Sequence, residues 1–141
     1  MRAFTLIEIL LTTALAFIVA TVASPFYGRF LFAQGLPIAV DELRGSLVKA
    51  REYSMIGRGG SEWGVDVSGN EITLFKGGTF SNRDTAFDEI YDIPSRVSLT
   101  ASNDAVFARV SGVPNDQVTY RFSHDTEEEN YFLNMAGILL K

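Results

Sequence analysis

Glu8 is the residue whose setting first asks for a chemical reason. It stands in the apolar run Leu6-Ile7-Glu8-Ile9-Leu10, and no residue from Ile9 to Gly28 carries a charge. A carboxylate inside an apolar helix costs about 2.5–3.5 kcal/mol at mid-membrane and less near the interface. Such a group implies a function and calls for a cationic partner. The other chemistry-bearing residues are weaker. Ser123-His124-Asp125 has the residue types of a nucleophile, a base and an orienter, and His124 is the single histidine. Neighbours in an extended chain point to opposite sides, so these three cannot form one catalytic array. Asp125, Glu127, Glu128 and Glu129 are the densest acidic cluster. Concentrated oxygen ligands can hold calcium, but this spacing matches no calcium loop, and a solvated hairpin tip is the expected reading. Gly57-Arg58-Gly59-Gly60 follows a helical stretch instead of opening one, and no Lys-Ser or Lys-Thr pair comes after it. It reads as a helix stop and not a phosphate cradle.

Composition narrows the field further. The 141 residues contain no cysteine, which removes disulfide scaffolds, thiolate metal sites and cysteine nucleophiles together. The net charge is −5, and Arg83, Arg96, Arg109 and Arg121 are scattered among acids. A chain that grips nucleic acid through its phosphates usually shows the opposite balance, so that class is disfavoured. Nothing here specifies an enzyme, a cofactor or a metal site. At 47% hydrophobic and 12% aromatic residues, the chain is not a disordered one.

The elements that position Glu8 come next. At about 1.5 Å per residue, a helix over the uncharged stretch covers about 30 Å, the thickness of a bilayer core. Three readings fit such an N-terminus. A secretory signal peptide would use Arg2 as its basic region and Thr21-Val22-Ala23 as a mediocre cleavage site. A plain signal anchor would simply hold the chain in the membrane. Neither has a use for Glu8.

The third reading rests on a motif. Phe4-Thr5-Leu6-Ile7-Glu8 resembles the N-terminal signature of type IV prepilins and type II secretion pseudopilins. The resemblance implies a leader of residues 1–3, prepilin peptidase cleavage between Ala3 and Phe4, and N-methylation of the Phe4 amine. It implies that Glu8 pairs with the N-terminal ammonium of a neighbouring subunit, which sets the register of one helix on the next. Free α-amino groups titrate at about 8, so that partner is cationic at neutral pH. Pro25 stands at the place where the family has a helix-interrupting proline, and Pro25 with Gly28 is expected to kink the helix. The residue before the cut is Ala3 where the family usually has Gly, and the leader carries a single arginine, Arg2.

Beyond Arg29 the chain becomes mixed and acidic. Gly35-Leu36-Pro37 reads as a second interruption, either a kink or a short linker. From Val40 the pattern is helical, with Val40, Leu43, Leu47 and Ala50 on one face and Leu36 extending it backwards. Gly57, Gly59 and Gly60 end this helix. The remainder reads as β structure. Trp63 to Val67 and Ile72 to Phe75 flank a Ser68-Gly69-Asn70 turn, a hairpin pattern. Residues 79–87 read as a surface loop. Further strands are expected at Glu89–Ile93, Arg96–Thr100, Ala105–Val110, Gln117–Ser123, Asn130–Asn134 and Gly137–Leu140, with no further helix.

The expected fold is therefore α+β: a long, kinked, membrane-spanning N-terminal helix packed on a C-terminal antiparallel sheet or sandwich. The expected divisions are a 1–3 leader, a 4–34 hydrophobic helix, a 35–57 amphipathic continuation and a 58–141 β domain. One helix followed by about eight strands resembles the minor subunits of the GspH/FimT type, through Ala50-Arg51, Trp63-Gly64-Val65, Thr73 to Gly77, Ile93-Pro94, Val106-Phe107 and the Asn134–Gly137 turn. That resemblance implies a structural subunit of a type II secretion pseudopilus or type IV pilus. Its partners would be the prepilin peptidase, other pilin-like subunits and the inner-membrane assembly platform. The helix would span the inner membrane with its N-terminus cytoplasmic and the β domain periplasmic, before passing into the filament. A tip adhesin, a DNA-binding minor pilin and a signal-anchored envelope protein of other function are the alternatives.

Overall fold

A computed structural model describes residues 5–33, 35–124 and 127–141, with side chains given for 5–21, 35–124 and 128–141. The chain divides into two units, residues 1–34 and 35–141. The first is the helix α1, Leu6–Ala33. Pro25 and Gly28 fall within its bounds, but the expected kink lies where side chains are outside the described residues, as do Ala3 and Phe4. Among the described residues, no helix is long and apolar enough to cross a membrane.

The second unit opens with α2, Gly35–Met55. Gly35, Leu36 and Pro37 belong to this helix, so the triplet is helical and not a linker. Ala39, Val40, Leu43, Leu47 and Ala50 are buried along one face, as their spacing requires. The helix stops at Gly57, whose φ of 64° is the left-handed conformation that terminates helices.

Among the described residues eight strands follow: β1 Trp63–Ser68, β2 Glu71–Lys76, β3 Glu89–Asp92, β4 Val97–Ala101, β5 Ala105–Phe107, β6 Val118–His124, β7 Glu127–Leu133 and β8 Leu139–Leu140. They form two four-stranded antiparallel sheets, in the orders β3-β2-β1-β5 and β4-β6-β7-β8. The β1–β2 hairpin pairs Trp63 with Lys76 and Ser68 with Glu71 around Gly69, at φ 65°. The apolar face of α2 meets Trp63, Val65, Ile72, Leu74, Leu99, Phe107, Val118, Tyr120, Phe122 and Leu133 in one core fed by both sheets.

Three expectations change. Residues 79–87 hold two short 3-10 turns, Phe80–Asn82 and Thr85–Phe87. β5 ends at Phe107 and not Val110, because Val110 adopts φ 71° and its N–H donates to the Ser54 carbonyl at 2.9 Å. β7 begins at Glu127, which puts Glu127, Glu128 and Glu129 in a paired strand and not at a hairpin tip.

Candidate functional site

At the start of α1 stand Thr5 and Glu8. Thr5 occupies the N-cap position and Glu8 the third helical position, the spacing of a capping box. Thr5 N–H and Oγ1 each donate to Glu8 Oε2 at 3.4 Å. A negative charge in the first turn also complements the helix dipole. Both contacts are long for hydrogen bonds to a carboxylate, where a charged N–H donor sits at about 2.7–2.9 Å. Glu8 thus rests on its own turn, with weak ties that a cationic donor can replace.

The rest of the described part of α1 presents apolar side chains. Leu6, Ile7, Ile9, Leu10, Leu11, Leu15, Phe17, Ile18 and Val19 are all exposed. Thr12, Thr13 and Thr21 turn their hydroxyls back onto the carbonyls of Glu8, Ile9 and Phe17, at 2.9, 2.9 and 3.0 Å. A hydroxyl satisfied within its own helix can enter a dry environment at little cost. Glu8 is the charged side chain among the residues of this helix whose side chains are described, 6–21.

The other sequence candidates disperse. His124 lies on β6, opposite Val97, one residue beyond the expected end of that strand. Ser123 beside it faces the other way and pairs with Ser98. Asp125 is outside the described residues. Glu129 is engaged by Lys141 at 2.7 Å and by the Tyr131 hydroxyl at 2.8 Å, and the Lys141 hydrogen bond leads in holding its carboxyl below the usual range. Glu128 points to the opposite side of the strand. Among the described residues no group of three metal-binding side chains comes together. Two of the arginines are engaged within the protein: Arg83 by Asp88 at 2.8 Å and Arg109 by the Gly60 carbonyl at 3.3 Å. Gly57 to Gly60 holds a 3-10 turn that closes α2.

Two groups escaped the sequence reading. Lys49 on α2 donates to Glu89 at 2.9 Å and to Tyr91 at 2.7 Å, while the Tyr91 hydroxyl donates to Glu89 at 2.8 Å. This ties the helix to β3. Periodicity marks Lys49 only as solvent-facing, and nothing local pairs it with a residue 40 positions away. The second group, Asp66 with Asp104 and Tyr120, joins β1, the β4–β5 connection and β6.

No protein-family model matches the chain, and no curated protein matches it in sequence. A solved structure does match. The minor pseudopilin EpsH of the type 2 secretion system of Vibrio cholerae superimposes over 74% of this chain and 94% of its own, with a TM-score of 0.53 and 14% identity. The fold is that of a minor pseudopilin. At 14% identity the likeness lies in the architecture: helix α2 packed on antiparallel sheets, the pilin-like α+β arrangement.

Proposed function

We propose that the chain is a minor subunit of a type II secretion pseudopilus or a related type IV pilus. The observation that carries this reading is Glu8: a carboxylate held, among the described residues, by its own first turn, at the head of a helix with exposed apolar side chains, in a chain with the pseudopilin fold. Prepilin peptidase removes residues 1–3 by cutting between Ala3 and Phe4 and methylates the Phe4 amine. The 4–34 helix holds the subunit in the inner membrane, with its N-terminus cytoplasmic, and then lines the filament core. Pro25 and Gly28 let that helix bend as it packs. Glu8 takes the N-terminal ammonium of a neighbouring subunit, an ion pair that relieves an otherwise costly buried carboxylate and fixes axial register. The 35–57 helix and the 58–141 β domain face outward, against other pilin-like subunits. The assembly platform of the inner membrane is the remaining partner.

The test is the intact mass and N-terminal sequence of the protein isolated from its own cells. A chain that starts at Phe4 and is heavier by one methyl group is the expected result. A chain starting at Met1, or near Ser24, overturns the reading.

A further inference from the structure

We propose that Asp66 keeps a proton that it donates to Asp104, and that this proton latches the two sheets together, so that the junction between them loosens as pH rises. Asp66 belongs to β1 in the first sheet and is only 9% exposed. Its Oδ2 is buried without a hydrogen-bond partner. The antiparallel β1–β5 register, with Val65 opposite Ala105, carries on to set Asp66 opposite Asp104, and the two carboxyls interact. Two ionised carboxylates have no hydrogen to share, and at such range they repel. One proton supplies the missing donor and removes one charge.

Asp104 is the connecting piece. It sits between β4, in the second sheet, and β5, in the first. Its Oδ2 also accepts the Phe80 N–H at 3.0 Å, which brings in the loop after β2. The Phe80 ring packs edge-on against Phe75 of β2, with centroids 5.5 Å apart. A change at the pair therefore reaches both sheets and that loop.

Among the described residues, the groups that act on the pair include no cation. Tyr120 comes from β6, fully buried, with its hydroxyl unpartnered and close enough to interact with both carboxyls. β2 places uncharged Thr73 opposite Asp66, and the Phe80 turn supplies a backbone N–H. The helix face packed on this sheet is apolar: Leu43, Leu47 and Ala50. Asp116 stands across a cavity of about 300 Å³ that Asp104 also lines, with Asn103 and Asn115. That cavity gives protons a route to the pair. Burial is the leading cause that pushes the Asp66 carboxyl above its ordinary 3.8, and the Asp104 carboxyl adds to it. The sign follows. Below 3.8 the proton is present folded and unfolded, and the pair carries no charge penalty. As pH climbs through the raised folded value the proton is lost, and the pair's contribution is lost with it.

The test uses the full chain in detergent, with urea unfolding followed by the fluorescence of Trp63, the single tryptophan and a buried one. Asp66→Asn keeps a donor toward Asp104 and needs no proton. It is expected to raise the urea midpoint at about pH 8, with the gain vanishing toward about pH 4. Between the unfolded and folded pKa values the gain changes about tenfold in folding constant per pH unit. Asp104→Asn, which donates to Asp66 from the other side, is expected to flatten the same pH dependence and serves if the first variant does not fold. Curves that run parallel to the parent across pH overturn the proposal. So does a midpoint at about pH 8 that calcium raises in the parent and not in Asp66→Asn, since the pair would then hold a cation in place of the proton.

Discussion

Thr5 and Glu8 close a loop on themselves at the head of α1, with the Thr5 amide and hydroxyl both 3.4 Å from one carboxylate oxygen. The arrangement keeps an ionised side chain partly satisfied while no neighbour is present. It also leaves the carboxylate open to a stronger donor, because two long neutral contacts are weaker than one short charged one.

Replacement of Glu8 by Ala separates anchoring from assembly. It removes a charge that costs about 2.5–3.5 kcal/mol at mid-membrane, so membrane retention should hold or improve. Filament incorporation should fail, because the neighbouring ammonium loses its partner. Membrane fractionation and the sheared-filament fraction read the two steps separately. Normal incorporation of Glu8→Ala would sink the pairing role.

Trp63 ties the end of α2 to the first strand. Its backbone N–H donates to Ser54 Oγ at 2.9 Å, and its indole N–H to the Arg58 carbonyl at 2.9 Å. The ring meets Tyr53 edge-on, with centroids 4.8 Å apart. Trp63→Ala should cost about 3–5 kcal/mol through the cavity it leaves. Trp63→Phe should cost less, because it keeps most of the volume and loses the indole donor. Calorimetric unfolding of the full chain in detergent ranks the two, and equal losses would mean that the hydrogen bond outweighs the packing.

Much of this fold was legible because local patterns and tertiary demands agree. The Trp63, Val65, Val67 alternation and the Gly69 turn specify the first hairpin, and the α2 stripe of Val40, Leu43, Leu47 and Ala50 specifies its buried face. Glu8 was legible because a charge in an apolar run stands out without any tertiary knowledge. The misses lie where one residue answers to a distant partner. Val110 looks like a strand residue, yet its amide is taken by Ser54 on α2 and its backbone turns left-handed. Asp66 looks like an outward polar residue of an alternating strand. It is buried because the Asp104 carboxyl, the Phe80 turn and Tyr120 gather around it, and no window of sequence contains all four.

The Lys49–Glu89 pair adds a second, weaker pH dependence of opposite sign. The Lys49 hydrogen bond, first among the causes, holds the Glu89 carboxyl below its ordinary 4.5. Tyr91 and then Glu89 hold the Lys49 ammonium above its ordinary range. A lowered carboxyl contributes stability that is present above 4.5 and is lost as pH falls through the folded value. The side chains are 44% and 35% exposed, so screening keeps the contribution below about 1 kcal/mol. Glu89→Gln should leave stability almost unchanged at low pH and lower it slightly at neutral pH. Urea midpoints on either side of pH 4.5 check this, and a variant that loses the same amount at both would show the pair to be a packing contact only.

Gly64 tests whether the first sheet is as tightly closed as its geometry requires. The residue lies opposite Phe75 in the β1–β2 ladder, and β1 is buried on both faces there. A Cβ at position 64 would stand 2.6 Å from Phe75 Cζ and 2.9 Å from the Ala105 carbonyl oxygen. The first neighbour is a ring that can turn only by disturbing its contact with Phe80, and the second is backbone of the paired strand β5. Overpacking of this kind typically costs about 1–3 kcal/mol. Gly64→Ala should therefore lower the unfolding midpoint. Adding Phe75→Leu should recover part of the loss, because it withdraws the nearer clash and leaves the one with Ala105. A double-mutant cycle on urea midpoints measures the coupling. Full additivity of the two losses would show that the Phe75 ring does not set the limit at Gly64, and that the Ala105 backbone alone does.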